Sequence, residues 1–432
     1  MNNSQYGQVD EYGLEREKIQ CIAKKLRALR GKNNILWDSP AEWGVKYSYM
    51  KGKPTKALTI TLSPTGCAWA KNGGCTMCGE YEGSSKGDSI PDYLHIAQFA
   101  KAVAELVPLY KPKWLRINQE GNYANNNETK QVVQKTILKL ATQLKGIKRI
   151  TIESRPQYLT EEILTVYSNI IKNSGIELEI GMGFESGNDV IRNICINKGE
   201  SIADFEKTLK LMKKHGILSL AYVLLKPPFL TENEAIGDAV NSIIYANKIG
   251  FERISLEPMS IHKYTIVDAL TRLSQYSTPW LWSLIEVIKQ CRDISELGIG
   301  GIGYYPIPAH LSQNHCNCKT INVKKKGNII QVKECEKHIF DALKKFSRYR
   351  DFSVFDNLFF SCMATWKSEC GSCDSLLSLK ERIIDQLNNI DINQYELSVK
   401  KDLDIINPMN TIFAGSIYIA RGSQTQHYSN GG

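Results

Sequence analysis

Three cysteines stand on one short glycine-rich segment: Cys67, Cys75 and Cys78, with seven and then two residues between them. Gly66, Gly73, Gly74 and Gly79 lie beside them, and residues without a Cβ let a backbone wrap tightly around a bulky group. Thiolates are the usual ligands of iron–sulfur centres. Three of them fill three corners of a 4Fe-4S cubane and leave one iron open. The amine and carboxylate of S-adenosylmethionine (SAM) can chelate that iron, and one electron from the cluster then cleaves the sulfonium to a 5'-deoxyadenosyl radical that abstracts hydrogen from an unactivated carbon. The duller reading is a zinc knuckle. Structural zinc normally takes four ligands, and the nearest further cysteines, Cys21 and Cys195, are remote in sequence.

A second group lies later: His315, Cys316, Cys318, Cys335, Cys362, Cys370 and Cys373. Cys370-Gly-Ser-Cys373 has the spacing of a metal knuckle, and Cys316 with Cys318 supplies a second pair, so a four-cysteine zinc site is expected from these four. Cys362 is an alternate ligand, and His315 can replace any one of them. Reduced structural thiols and an auxiliary iron–sulfur cluster remain open on the same residues. A metal would let a short, lysine-rich module fold without a large core, because its binding energy becomes folding energy. That module carries Lys324, Lys325, Lys326, Lys344, Lys345, Arg348 and Arg350. With Phe340, Phe346 and Tyr349 these charges suit a phosphate backbone; an ordinary solvated face is the alternative.

The elements that must position these groups are legible from hydrophobic period. An amphipathic helix is expected over 11–30, as a packing element. Strand-like runs then follow at 57–62, 114–118, 150–153, 178–183, 218–225 and 253–257, alternating with helical runs at 97–110, 129–144, 160–173, 202–215 and 232–249. Strand-then-helix alternation argues for parallel strands with crossover helices, in a doubly wound sheet or a full or partial (β/α) barrel. The three-cysteine segment directly follows the first of these strands, where barrel folds place their chemistry. No Gly-x-Gly-x-x-Gly turn is there, which disfavours a dinucleotide fold. The glycines of 298–303 read as a strand or turn near a site, and 411–420 as a strand.

The chain has 432 residues, enough for one large core and a smaller one. Hydrophobic residues at 42% and charged residues at 23% place it with ordinary globular proteins rather than disordered or fibrous ones. A formal net charge of +9 permits a polyanionic partner without requiring one. The polar, acidic start does not read as a signal peptide and no apolar run is long enough to span a membrane, so a cytoplasmic protein without a membrane partner is expected. Cysteines there stay reduced, which favours metal ligation or catalysis over disulfides. Composition turns basic and cysteine-rich after Pro306. The expected division is an N-terminal helical extension (1–50), a core barrel (51–305) and a basic cysteine-rich module (306–432).

A first-strand cysteine loop followed by six βα units resembles the radical SAM superfamily. The long gap before Cys75 departs from the commonest three-then-two spacing and resembles the branch containing the Elongator catalytic subunit. Several segments resemble the archaeosine-biosynthesis radical SAM family more closely: Gly74-Cys-Thr-Met-Cys-Gly79, Glu153-Ser-Arg-Pro156, Gly183-Phe-Glu-Ser-Gly-Asn188, Cys195-Ile-Asn-Lys-Gly199, Ala221-Tyr-Val-Leu-Leu-Lys-Pro-Pro-Phe229 and Pro279-Trp-Leu-Trp-Ser283. The likeness runs from Leu58 to Trp282 and more weakly to Trp366.

The resemblance implies an α/β fold, a partial (β/α)6 TIM-type radical SAM barrel with a smaller cysteine-rich C-terminal α+β module. It places Cys67, Cys75 and Cys78 as cluster ligands. Glu120 and Gly121, in the turn Asn118-Gln-Glu-Gly-Asn-Tyr123, would receive the SAM amine; Glu185 would sit near the ribose; Lys198 would hold the SAM carboxylate; Lys226 would face the same rim. Glu153 and Arg155 would be ligand contacts or a structural ion pair in the barrel mouth, and Tyr222 and Phe229 core. The implied reaction is radical C–N cleavage of a lysine adduct on a 7-deazaguanine base in tRNA. It would need a lysine-transferring partner enzyme and a reductant such as ferredoxin or flavodoxin. The turn at 118–123 and Gly79-Glu-Tyr81 depart from the archaeal pattern, which leaves open a paralogue acting on a free deazapurine, DNA or a peptide. A non-catalytic cysteine-rich nucleic-acid-binding protein is the reading from another class.

Overall fold

Segments such as Leu-Ser-Leu-Ala-Tyr-Val-Leu-Leu (218–225) are too continuously apolar for a sheet with one wet face. Such strands are buried on both faces, which parallel sheets with crossover helices provide. The computed structural model describes residues 6–30, 39–79, 84–85, 90–301, 307, 310–325, 328–372 and 376–413. After α1 (Gly13–Ala28) the chain forms β1 (Glu42–Met50), β2 (Lys53–Thr61), α2 (Asp92–Tyr110), β3 (Trp114–Asn118), α3 (Gln131–Thr142), β4 (Arg149–Glu153) and α4 (Glu161–Ile171). It continues through β5 (Glu177–Glu185), α5 (Ile202–Lys214), β6 (Leu218–Leu225), α6 (Glu232–Ile249), β7 (Arg253–Pro258), α7 (Ile266–Arg272), α8 (Leu281–Gln290) and β8 (Leu297–Ile299).

These strands make one sheet in the order β1 to β8. Every pair from β2 onward is parallel, with ladders such as Leu58–Leu115, Ile152–Ile180 and Ala221–Ile254. The fold is a partial barrel, and the six strands read from the alternation are β2 to β7. The β1 strand adds antiparallel to β2 through a two-residue turn whose Lys51 and Gly52 both have positive φ, 47° and 80°, the backbone that suits tight hairpins. Residues 42–50, expected in a helical extension, are thus a barrel strand. Helix starts are set locally: Thr160, Ser201 and Thr231 each accept from a backbone N–H of the first turn, the last two in capping boxes.

Beyond the barrel come the hairpin β9 (Thr320–Lys325) and β10 (Asn328–Lys333), then α9 (Glu334–Tyr349), α10 (Cys362–Ser372), α11 (Leu379–Asn388) and α12 (Ile392–Phe413). The expected strand at 411–420 is not formed at its start, since Thr411–Phe413 continue α12; the rest lies outside the described residues. Ile339, Leu343, Phe346 and Trp366 join the barrel's main apolar cluster, while Ile383, Leu387 and Tyr395 pack with Ile19, Ile22 and Leu26 of α1.

The floor of the barrel, at the start of its strands, is polar. Glu179 accepts from Arg253 at 2.7 and 2.8 Å, from Arg149 at 3.3 Å and from Thr151 at 2.8 Å. The Trp114 ring lies against Arg116, Arg149 and Arg253, 4.3–5.4 Å away. Burial raises the Glu179 carboxyl, but the two guanidiniums outweigh it and hold it at about 2. Because the folded value lies below the unfolded one, this contribution is complete above roughly pH 4.5 and is lost as pH falls towards the folded value. Glu179→Gln takes the carboxylate from the buried Arg253 guanidinium and leaves Arg149 paired with Glu177 alone, and is expected to cost about 3–5 kcal/mol in urea unfolding at pH 7. About half of that difference should vanish when wild type and variant are compared near pH 3, and the rest only as pH falls through the folded value.

Candidate active site at the barrel mouth

The segment after β2 contains little regular structure of its own, so its shape is imposed by neighbours. Cys67 leads into a 3-10 turn at Ala68–Asn72, and Gly73 and Gly74 have φ of 105° and 65°. A Cβ on Gly74 would fall 2.8 Å from the Ala70 Cα and 2.7 Å from Arg27. Arg27, on α1, donates to the carbonyls of Cys75 at 2.7 Å and Cys78 at 3.1 Å. Asn197 donates to Gly74 O at 2.8 Å, and Thr76 bonds the backbone of Cys195 and Ile196. The N-terminus of α7 closes the far side, Ile266 N donating to Thr76 O. Cys67, Cys75 and Cys78 are in no disulfide. Burial pushes the Cys75 thiol up, against Lys198 and Arg155, which pull it down.

Next to this loop is the turn after β3. Gly121 is required there: a Cβ would stand 2.4 Å from Glu128 Oε2. Glu128, buried, accepts from Ala68 N at 2.9 Å, Asn122 N at 2.5 Å, Asn122 Nδ2 at 2.8 Å and Asn125 Nδ2 at 2.7 Å. One carboxylate therefore ties the cysteine loop to the candidate SAM turn. Sequence reasoning missed it; the polar run Asn125-Asn-Asn-Glu128, rich in short-range donors, was the available signal. Asn122 Nδ2 also lies 3.7 Å from Cys67 Sγ.

The other candidates gather on the same rim with partners the sequence did not reveal. Glu185 and Lys198 pair at 3.0 Å. Burial draws the Lys198 ammonium down, yet Glu185 outweighs it and the group is held above its ordinary range. Arg155 does not pair with Glu153. It binds Glu200 at 2.8 Å and Lys198 O at 2.6 Å, and lies 5.0 Å from the Trp69 ring. Glu153 instead accepts from Tyr222 Oη at 2.6 Å, so Tyr222, expected as core, has its hydroxyl engaged by a strand-end carboxylate. Phe229 is buried in the core, as expected. Lys226 pairs with Glu232 at 2.6 Å and Ser277 at 3.2 Å, lining a cleft of about 480 Å³ with Glu369 and Arg382 that none of the other candidates border. Three strand-end candidates, Glu120, Glu185 and Lys226, have positive φ (50°, 61° and 66°), a strained backbone that clusters at functional sites.

Below the rim, Glu257 was not anticipated. Burial lifts its carboxyl to about 7, with Ser255 bonding at 2.6 Å and pulling it down, and Glu153 raising it further. The Glu153 carboxyl is raised by burial as well.

Elsewhere, Cys316, Cys318, Cys335 and Cys362 bring their sulfurs within 4.8 Å of one another, the single such group among the described residues. The expected set is thereby changed: Cys370 is outside it and Cys373 lies outside the described residues. His315 bonds Thr278 O at 2.7 Å instead of joining it. Phe340 and Phe346 are buried core rather than a nucleic-acid face, and Arg348 and Arg350 lie over Tyr47 and Tyr49 of β1.

Two outcomes test this geometry. Glu128→Gln turns an amide N–H₂ towards donors, and should cost about 2–3 kcal/mol while speeding amide exchange at Ala68 and Asn122. For Glu257, the folded carboxyl titrates above the unfolded one, so holding it ionised destabilises the free protein as pH rises to about 7. Glu257→Gln should therefore raise Tm at pH 8 and do so less at pH 5.

No protein-family model matches the chain. It is 32% identical over 332 residues to archaeosine synthase subunit beta of Methanosarcina acetivorans, covering 76% of this chain and 89% of that protein. Identity to the Thermococcus kodakarensis archaeosine synthase subunit beta is 29% over 321 residues, 73% of this chain and 92% of the relative. Among solved structures, methylornithine synthase is similar with a TM-score of 0.41 and 8% identity, over 68% of this chain and 74% of that one. No helix among the described residues is long and apolar enough to cross a membrane. With its cysteine loop at the mouth of a partial barrel, the chain belongs to the family of archaeosine synthase subunit beta.

Proposed function

We propose that the chain performs the radical step of an archaeosine-type modification: C–N cleavage of a lysine adduct on 7-deazaguanine in tRNA, leaving an amidine on the base. The observation that carries this reading is the 32% identity to archaeosine synthase subunit beta over 89% of that protein, joined to three cysteines outside any disulfide on one glycine-cradled loop. Cys67, Cys75 and Cys78 fit a 4Fe-4S cluster: three soft donors on one loop, its backbone held from behind by Arg27. When bound, the cluster and SAM supply a 5'-deoxyadenosyl radical.

The protein's own residues orient and shield. Glu120 and Gly121 form the turn for the SAM amine, with Glu128 holding it to the loop. Lys198, steadied by Glu185, faces the SAM carboxylate, and Glu185 the ribose. Arg155 is a positioning residue, ion-paired with Glu200 and donating to Lys198 O. Glu153, Tyr222 and Glu257 line the space beneath and would meet the base. Lys226, paired with Glu232 in its own cleft, is left out of that set. The word "subunit" in the relatives' name supports a lysine-transferring partner, and the chemistry requires an electron donor such as ferredoxin or flavodoxin.

Anaerobically purified protein should be brown with about four irons per chain, lost in Cys75→Ala. It should release 5'-deoxyadenosine faster with tRNA bearing the lysine adduct than with tRNA lacking it, and bind tRNA in a salt-sensitive way. A colourless protein would sink the radical reading. Turnover stimulated by a free deazapurine, DNA or a peptide, and not by tRNA, would replace the substrate.

A further inference from the structure

We infer that Cys316, Cys318, Cys335 and Cys362 hold one zinc ion that pins the helix closing the open side of the barrel. Their four sulfurs converge from three separate pieces of chain: the loop before β9, the first turn of α9 and the first turn of α10. The Cys316 and Cys335 sulfurs are 3.7 Å apart. That is too far for a disulfide, and all four cysteines are free. It equals the edge of a tetrahedron with metal–sulfur bonds near 2.3 Å, roughly 3.8 Å. Four thiolates around one small volume select zinc among the common divalent ions, and leave no open position, which marks a structural site.

The surroundings are built for thiolates. Asn314 Nδ2, fully buried, points at the sulfurs of Cys335 and Cys362 from 3.5 and 3.9 Å, and Trp282 Nε1 donates to Cys362 Sγ at 3.3 Å. Such N–H donors orient ligands and spread their charge. Cys335 and Cys362 also sit in the first turns of their helices, where the positive end of the helix dipole favours an anion.

Position gives the site its task. The β1 and β8 strands are the two edges of the sheet and do not pair with each other. The α9 helix packs on β1, β2 and α8. At its far end Arg350 lies 4.8 Å from the Tyr49 ring of β1, and its Nη2 would stand 3.4 Å from a Cβ placed on Gly298 of β8. A helix that touches both edges covers the seam, and Cys335 anchors its other end. Zinc there ties α9 to the preceding loop and to α10, whose Cys362 is bonded by Trp282 of the barrel's own α8.

The full-length protein is assayed by elemental analysis and zinc-edge X-ray absorption, neither of which depends on turnover or on the reading of the first cysteine loop. Wild type should carry about one zinc per chain with four sulfur neighbours near 2.3 Å. Cys335→Ser and Cys316→Ser should lose the zinc and keep the iron of the Cys67 loop, whereas Cys370→Ser should keep both. Hydrogen exchange after zinc chelation should quicken about tenfold or more in α9 and β1. Absence of zinc, nitrogen or oxygen neighbours in the wild-type spectrum, iron in its place, or zinc lost in Cys370→Ser but kept in Cys335→Ser would overturn the assignment. Unchanged exchange in α9 on chelation would overturn its role at the seam.

Discussion

Arg27 reaches from the N-terminal helix to two carbonyls of the cysteine loop, and the mouth of the barrel depends on that reach. Within the loop only short 3-10-type bonds are made, Ala70 to Cys67, Gly73 to Ala70 and Cys78 to Cys75, too few to hold three thiols in one arrangement. The rest comes from outside: α1, the 195–197 segment, the start of α7, and Glu128. Apolar packing follows the same logic. Ile19, Ile22 and Leu26 share a cluster with Cys75, Ile194 and Val267, and with Ile383 and Tyr395 from the C-terminal helices. Both ends of the chain therefore converge behind the loop, and a helix that looked like packing is a structural support of the candidate site.

The barrel's two ends use the same residue types to opposite effect. At the floor, one carboxylate faces two guanidiniums and is held ionised near pH 2. Towards the rim, Glu153 and Glu257 share Arg116 as a cation, with Lys198 also acting on Glu153, yet burial prevails and both carboxyls are raised. The difference is partner count, not depth. A charge-balanced floor closes the lumen, while a carboxyl that gains or loses a proton near neutrality, as Glu257 does, suits a space that a polar ligand enters.

What the sequence disclosed, and what it withheld, follows from the range of each interaction. The six parallel strands were legible because short strand-like runs alternate with helical ones along the chain, and the cysteine loop because its cysteines are close in sequence. The β1 strand was missed although Trp43, Val45, Tyr47 and Tyr49 alternate with Glu42, Gly44, Lys46 and Ser48, a period-2 signal that was available; what the sequence did not disclose is that Arg348 and Arg350, some three hundred residues later, lie over its tyrosines. Spacing likewise favoured Cys370-x-x-Cys373, whereas the clustered sulfurs include Cys335 and Cys362, single cysteines brought together only by the packing of α9 and α10 on the barrel. The rim residues were found at their strand ends, but their partners were not, because Arg155–Glu200 and Lys198–Glu185 are contacts between loops.

The strained backbone at the rim separates side chains that are merely present from those that are required. A left-handed conformation costs a residue with a Cβ roughly 1–2 kcal/mol, and glycine would relieve it at no steric cost. Glu120, Glu185 and Lys226 adopt it nonetheless, each at or just beyond the carboxyl end of a barrel strand. For Glu185 and Lys226 the strain is held by ion pairs, with Lys198 and Glu232. A pair formed only for stability could be reached from relaxed backbone. What the left-handed turn adds is direction: it bends the chain sharply as it leaves the strand and fixes where the charged group stands before any ligand arrives. Glu185 and Lys226 share this device but not a destination, one beside Lys198 on the rim and the other in a separate cleft. The rim is thus divided by ion pairing, and its part nearest the cysteine loop is the part whose charges are already oriented.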